Sequence, residues 1–197
     1  MSHPDADAPR EVLHEGRWLR LVQRGRWEYA ERVHGGGMAV IIVALTPQDE
    51  VLFVEQFRVP LGRRTIEMPA GLVGDERDDD TLVAAARREL IEETGWEASR
   101  VEVLLIGPTS SGMSSERIAF VRASGLTRVG DGGGVDDEQI IVHRVPRTQA
   151  PAWLMAKHRE GYEVDLKLWG GLWMLEREPD GTPLAHAPSQ AADEPAA

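Results

Sequence analysis

The sequence predicts an α+β domain, layered α/β/α around a mixed sheet. Three observations carry this. Elements along the chain run mainly β, then α, then β, then α, an order that suits a sheet covered by helices. Met38-Ala39-Val40-Ile41-Ile42-Val43-Ala44-Leu45 is an unbroken apolar run of strand length, as expected of a strand buried on both faces. The 197 residues are 42% hydrophobic and 28% charged, which provides enough apolar side chains for one sizeable core and excludes wholesale disorder.

Residues 1–9 are small, polar and Pro-containing, and are expected to stay unstructured. Trp18 to Val22 and Trp27 to Val33 alternate in polarity around Arg24-Gly25-Arg26, so they predict a hairpin. Gly35-Gly36-Gly37 breaks the pattern. This sets off an N-terminal antiparallel β subdomain, 10–36, from a main domain, 37–178. Thr46 to Glu50 is a turn and Val51 to Arg58 a strand. Asp80-Thr81 offers an N-cap for a helix that runs through the Ala-rich stretch to Gly95, a natural stop. Strands follow over 101–106, 118–122 and 139–145, then helices over 149–160 and 165–176. Met113, Trp153, Trp169 and Trp173 read as packing residues, the last two sharing a helix face at i, i+4. From Pro179 the chain is rich in Pro, Ala and acid, so 179–197 is expected to be a disordered tail.

Charge and composition narrow the function. Twenty-two basic residues stand against 33 acidic ones, a net charge of −11. That argues against nucleic acid and anionic membranes, both of which are gripped by basic patches. Without cysteine there are no disulfides, zinc–thiolate sites or thiol catalysis. The N-terminus lacks the basic-then-apolar order of a secretory signal, and no run approaches the roughly 20 apolar residues of a membrane span. A cytoplasmic protein is expected.

The most informative segment is Arg88-Glu89-Leu90-Ile91-Glu92-Glu93-Thr94-Gly95-Trp96. On a helix, Glu89, Glu92 and Glu93 fall at i, i+3 and i+4 and share one face. Like charges this close repel unless a cation sits among them, and hard ions with oxygen ligands, Mg²⁺ or Mn²⁺, match such donors. The other reading is a solvated acidic face partnered by Arg87 and Arg88.

This segment resembles the signature of the Nudix hydrolase family, G-x5-E-x7-R-E-U-x-E-E-x-G-U, with U a bulky apolar residue. Gly74 opens the match, residues 88–96 complete it, and Asp80 stands where the family has Glu. The Gly of Pro69-Ala70-Gly71 stands about three residues further upstream than the pattern expects, so the loop between Gly71 and the helix is longer and Asp-rich. The resemblance implies an α/β/α sandwich around a mixed sheet and Mg²⁺-dependent hydrolysis of a nucleoside diphosphate linked to another moiety. It implies Glu92 and Glu93 as metal ligands, Glu89 as ligand or proton acceptor, and Arg88 as the residue that orients them. The carbonyl of Ala70 is implied as a further metal contact.

Outside that box the chain is similar to ADP-ribose pyrophosphatases. Val54-Glu55-Gln56-Phe57-Arg58-Val59-Pro60 and Ile66-Glu67-Met68-Pro69-Ala70-Gly71 form their usual run into the signature. By that resemblance Arg58 meets a phosphate, and Glu67 supports the metal site or is a plain strand-end charge. Trp18 and Trp27 sandwich the adenine, often across a homodimer, or else they pack in the core or at the interface. Glu28 bonds the adenine edge and Arg32 a phosphate. Glu116 is an acidic site residue in a segment where Ser111 replaces the subfamily's marker proline. On the Gly132-Gly133-Gly134 loop, Glu138 is the first choice for a mobile catalytic acid and Asp136 the second; the bland alternative is an exposed acidic turn. The function implied is hydrolysis of ADP-ribose to AMP and ribose 5-phosphate. Alternatives are a GDP-mannose-type sugar-nucleotide pyrophosphatase, a nucleoside-triphosphate hydrolase, or a non-catalytic ligand sensor.

Overall fold

The structure, a computed structural model, describes residues 3–74, 80–135 and 138–184. Strands β1 (Arg10–Glu15), β2 (Leu19–Arg24) and β3 (Trp27–Arg32) form an antiparallel ribbon in that order. β4 (Met38–Ala44), β5 (Glu50–Arg58), β6 (Arg63–Glu67) and β7 (Ala70–Leu72) follow, then helix α1 (Leu82–Thr94). The long pair β8 (Trp96–Pro108) and β9 (Arg117–Arg128) leads to β10 (Ile141–Pro146), α2 (Ala150–Arg159), β11 (Glu163–Val164) and α3 (Lys167–Met174). The middle layer is two mixed four-stranded sheets, ordered β7-β4-β9-β8 and β10-β5-β6-β11. β4 runs parallel to β9 and antiparallel to β7.

β4 shows why this is a sandwich. Its side chains alternate between two cores, as strand geometry requires. Val40, Ile42 and Ala44 pack with Ala85, Ala86 and Leu90 of α1. Ile41 and Val43 pack with Leu154 of α2 and with Leu168 and Met174 of α3. The continuous apolar run is therefore the spine of both layers. Helix α1 begins where the sequence put it: Thr81 accepts a hydrogen bond from the Ala84 N–H at 3.1 Å, and Gly95 closes the helix in the left-handed region.

Strands β1, β6, β7 and β11 had no clear sequence signal. The first is exposed along its whole length, so no alternating burial marks it, and the others have two to five residues each. The packing expectation holds for Trp153, which stacks on Phe53 with ring centroids 5.5 Å apart. It fails for Met113, 72% exposed, for the exposed Trp169, and for Trp173, which is half exposed beneath the Arg177 guanidinium. The chain is traced past Pro179, through a turn closed by the Glu178 N–H donating to Thr182 O, as far as Leu184. Residues 185–197 lie outside the described residues, as do 75–79 of the loop before α1.

Candidate active site

A cavity of about 390 Å³ opens where α1 faces β5, β6 and β7. It gathers Glu89 and Glu93 from the helix, Arg58 and Glu67 from β5 and β6, Ala70 from β7, Arg32 from β3, Glu116 ahead of β9, and Glu138. These eight residues, far apart in sequence, were all singled out as site candidates, and the fold brings them to one wall-to-wall cleft.

Glu93 is the buried centre. Only 5% exposed, it accepts a hydrogen bond from the Ala70 N–H at 3.0 Å. Burial pushes its carboxyl up to about 8; the Ala70 N–H pulls the other way, and the charges of Glu89, Glu138 and Glu67 push it further up. Glu89 passes over the backbone of Gly71, where an added Cβ would come within 2.0 Å of the Glu89 carboxyl carbon. Only glycine leaves that room. Arg88 works from outside the cavity: it pairs with Asp80 at 2.8 Å, donates to Leu72 O at 3.3 Å and reaches Glu89 Oε1 at 3.1 Å. The Asp at position 80 thus holds the arginine that steadies Glu89, and its buried carboxylate keeps the charge that this role needs.

The two arginines of the cleft are each parked on an acid. Arg58 forms a two-pronged pair with Glu67, both bonds 2.7 Å, which holds the guanidinium above its usual range. Arg32 bonds Glu116 at 2.6 Å. Each pair engages only Nε and one Nη, so each guanidinium keeps further N–H donors for a phosphate.

The three acids of α1 do not all face the cavity. Glu92 does not line the cavity with Glu89 and Glu93. The helical sweep of about 100° per residue turns position 92 to the flank of the stripe that 89 and 93 share. Among the described residues no three acids or imidazoles form a finished cation cage. The donor set still suits a hard cation, since Glu89, Glu67 and Glu138 crowd negative charge against the buried Glu93. The two N-terminal tryptophans lie apart. Trp27 pairs with Arg24 at one end of the β2–β3 ladder, whereas Trp18 precedes the Leu19–Arg32 pair at the other. Five residue steps separate the ends, roughly 17 Å, so the two rings cannot clamp one base within a single chain. Trp18 is 61% exposed under Arg17, and Glu28 is exposed outside the cleft. Trp27 lines a second cavity of about 360 Å³ with Tyr29, Arg24, Ser111 and Ser114. That cavity adjoins the first through the Ala30–Ser114 bridge and the Arg32–Glu116 pair.

Gln56 and Lys167 also line the main cleft and were missed. Gln56 had a signal, since strand alternation puts it on the same face as Arg58. Lys167, at the start of α3, had none. Asp136, the second choice for the loop acid, lies outside the described residues.

An α/β/α domain whose helix α1 turns acids into a cleft edged by arginines defines a class of hydrolase fold, and likeness to known proteins agrees. The model of the NUDIX domain matches residues 36–163. The chain is 37% identical over 137 residues to the methanol dehydrogenase activator of Bacillus methanolicus, covering 66% of this chain and 72% of that protein. It is 38% identical over 109 residues to the ADP-ribose pyrophosphatase of Mycobacterium tuberculosis (50% of this chain, 52% of that one). It is 37% identical over 127 residues to the GDP-mannose pyrophosphatase of Citrobacter koseri (60% and 64%). The matches thus span between half and two thirds of these two pyrophosphatases. A solved structure described as an ADP compounds hydrolase superposes with a TM-score of 0.67 at 19% identity, over 85% of this chain and 89% of that one, which shows a shared fold. The chain belongs to the Nudix family.

Proposed function

We propose that this chain hydrolyses the diphosphate of a nucleoside diphosphate sugar, with ADP-ribose, giving AMP and ribose 5-phosphate, as first choice. GDP-mannose-type substrates are the alternative, because relatives of both kinds match the chain at similar identity. One observation carries the reading: a buried Glu93 surrounded by Glu89, Glu138 and Glu67 in a cleft that also holds Arg32 and Arg58. An acidic floor with basic edges suits a cation and a diphosphate together.

Glu89, Glu92, Glu93 and the Ala70 carbonyl would hold Mg²⁺, with Mn²⁺ as the substitute. When bound, the cation neutralises the anhydride and lowers the pKa of the attacking water. Arg58 and Arg32 meet phosphate oxygens with the N–H groups that Glu67 and Glu116 leave. Glu138 accepts the proton of the water, and Arg88 holds Glu89 in line. The cavity lined by Trp27, Tyr29 and Ser111 takes the base.

We further infer a homodimer built on the 10–36 ribbon. Val12, Leu13, Leu19, Leu21 and both tryptophans of that ribbon are exposed, an apolar surface that a second copy would cover. An antiparallel two-fold would also carry Trp18 of one chain to the Trp27 end of the other. No described helix is long and apolar enough to cross a membrane, and a cytoplasmic setting suits a chain without cysteine. A panel of nucleotide sugars, assayed for phosphate after coupled phosphatase with and without Mg²⁺, tests the activity. Release from ADP-ribose or GDP-mannose only with Mg²⁺ is expected; none from any member would overturn it.

A further inference from the structure

The end of α1 is not left to solvent. A helix presents its last carbonyls without partners of its own, yet here the loop after β9 supplies them. The Gly133 N–H donates to Glu93 O at 2.9 Å and the Gly134 N–H to Glu92 O at 3.0 Å. Val129 and Gly130 donate to Gly95 O at 2.8 and 3.0 Å. The residues whose carbonyls are taken, Glu92 and Glu93, are those whose side chains carry the acids. The other end of the same loop holds Glu138. The Val135 N–H donates to Glu138 Oε2 at 2.9 Å, and the Ile140 N–H donates back to Gly133 O at 3.0 Å.

We propose that Gly132–Gly134 is a clip that fixes Glu138 against the acidic end of α1, so that these glycines are positioning residues for the reaction. The proposal rests on the role given to Glu138 above. In the sequence the three glycines resemble a flexible linker; in the fold Gly132 and Gly134 leave no room for a side chain. At Gly132, with φ +70°, an added Cβ would stand 2.4 Å from the Thr94 carbonyl carbon and 2.6 Å from Glu93 O. Both are backbone atoms that cannot step aside, and the φ itself disfavours any side chain. At Gly134 an added Cβ would stand 2.4 Å from Glu138 Oε2, so the carboxylate would have to leave its place. Absence of side chains is what lets the helix end, the loop and the acid meet.

Two measurements test this. In the unmodified protein, hydrogen exchange should find the Gly133 and Gly134 amides protected with those of the last turn of α1; exchange at the rate of an open loop overturns the clip. In kinetics with Mg²⁺ and the best nucleotide sugar, Gly134→Ala should lower kcat by roughly ten- to a hundredfold, part of what a positioned proton acceptor supplies. KM should move by less than about threefold. The double variant Gly134→Ala/Glu138→Gln should be no slower than Glu138→Gln alone, since the glycine acts only through that acid. Losses that multiply would mark a merely structural glycine and overturn the proposal. Gly161→Ala, also at positive φ but with open space around its Cβ, controls for backbone strain and should keep kcat. If Glu138→Gln itself leaves kcat unchanged, the role given to Glu138 fails and the clip's purpose with it. If Glu138→Gln is slow and Gly134→Ala is not, the clip alone fails.

Discussion

Replacing Glu93 with Gln tests the electrostatics and the chemistry of the cleft together. The substitution keeps the shape and an oxygen for the Ala70 N–H, but removes the charge. In the folded, metal-free protein burial raises this carboxyl to about 8 from the 4.5 of an unburied Glu. The folded state therefore holds a proton that the unfolded chain has released. Stability from this group is present in full below about pH 4.5 and is lost as pH climbs through 8. The span is 8 − 4.5, which at 1.36 kcal/mol per unit is on the order of 5 kcal/mol as an upper bound. Urea unfolding in EDTA at pH 5, 7 and 9 should show the wild type weakening with pH and Glu93→Gln weakening much less. Mg²⁺ should restore the wild type at pH 9 and do little for the variant. Turnover should fall more than about 100-fold, roughly 2.7 kcal/mol of barrier. Equal pH slopes in the two proteins would refute the buried-charge account, and near-normal Mg²⁺-dependent turnover in the variant would refute the metal role.

Gly71→Ala would put a methyl where the Glu89 carboxylate lies; we expect kcat to fall at least roughly tenfold with a thermal midpoint shift of only a few degrees, and an unchanged kcat would show that Glu89 needs no such place. Trp27→Ala should raise KM for ADP-ribose by roughly ten- to a hundredfold if about 1–3 kcal/mol of stacking is lost, with a smaller change in kcat. Trp18→Ala should raise KM only in so far as the protein is dimeric, so a KM effect in a variant shown to be monomeric contradicts the clamp across two chains. Sedimentation at micromolar concentration should give a dimer, and Leu19→Glu on the exposed ribbon should give a monomer; a monomeric wild type ends that proposal.

The main domain was legible where the sequence pattern and the local physics point the same way. The run from Met38 is apolar on every residue because both faces of β4 are covered. Thr81 and Gly95 mark α1 because a cap and a left-handed stop are local devices. What stayed hidden was tertiary. β1 is exposed throughout and reads as tail until β2 pairs with it. Spacing puts Glu89, Glu92 and Glu93 at one end of α1, but only the fold shows that the cavity is lined by Glu89 and Glu93. Trp18 sits in the turn before β2 and Trp27 opens β3, and the antiparallel register sends them to opposite ends. The partner of Asp80 explains a departure from the family pattern that the sequence could only note. Gln56 was within reach of strand alternation, whereas Lys167 depends on where α3 docks.

The central claim is that this cleft splits a sugar-nucleotide diphosphate with the help of a divalent cation, and phosphorus NMR of ADP-ribose incubated with the protein tests it most directly. The account predicts that the paired diphosphate resonances give way to two phosphomonoester signals, AMP and ribose 5-phosphate, with Mg²⁺ but neither in EDTA nor with Glu93→Gln. Persistence of the diphosphate with Mg²⁺, for ADP-ribose and for GDP-mannose alike, would contradict it.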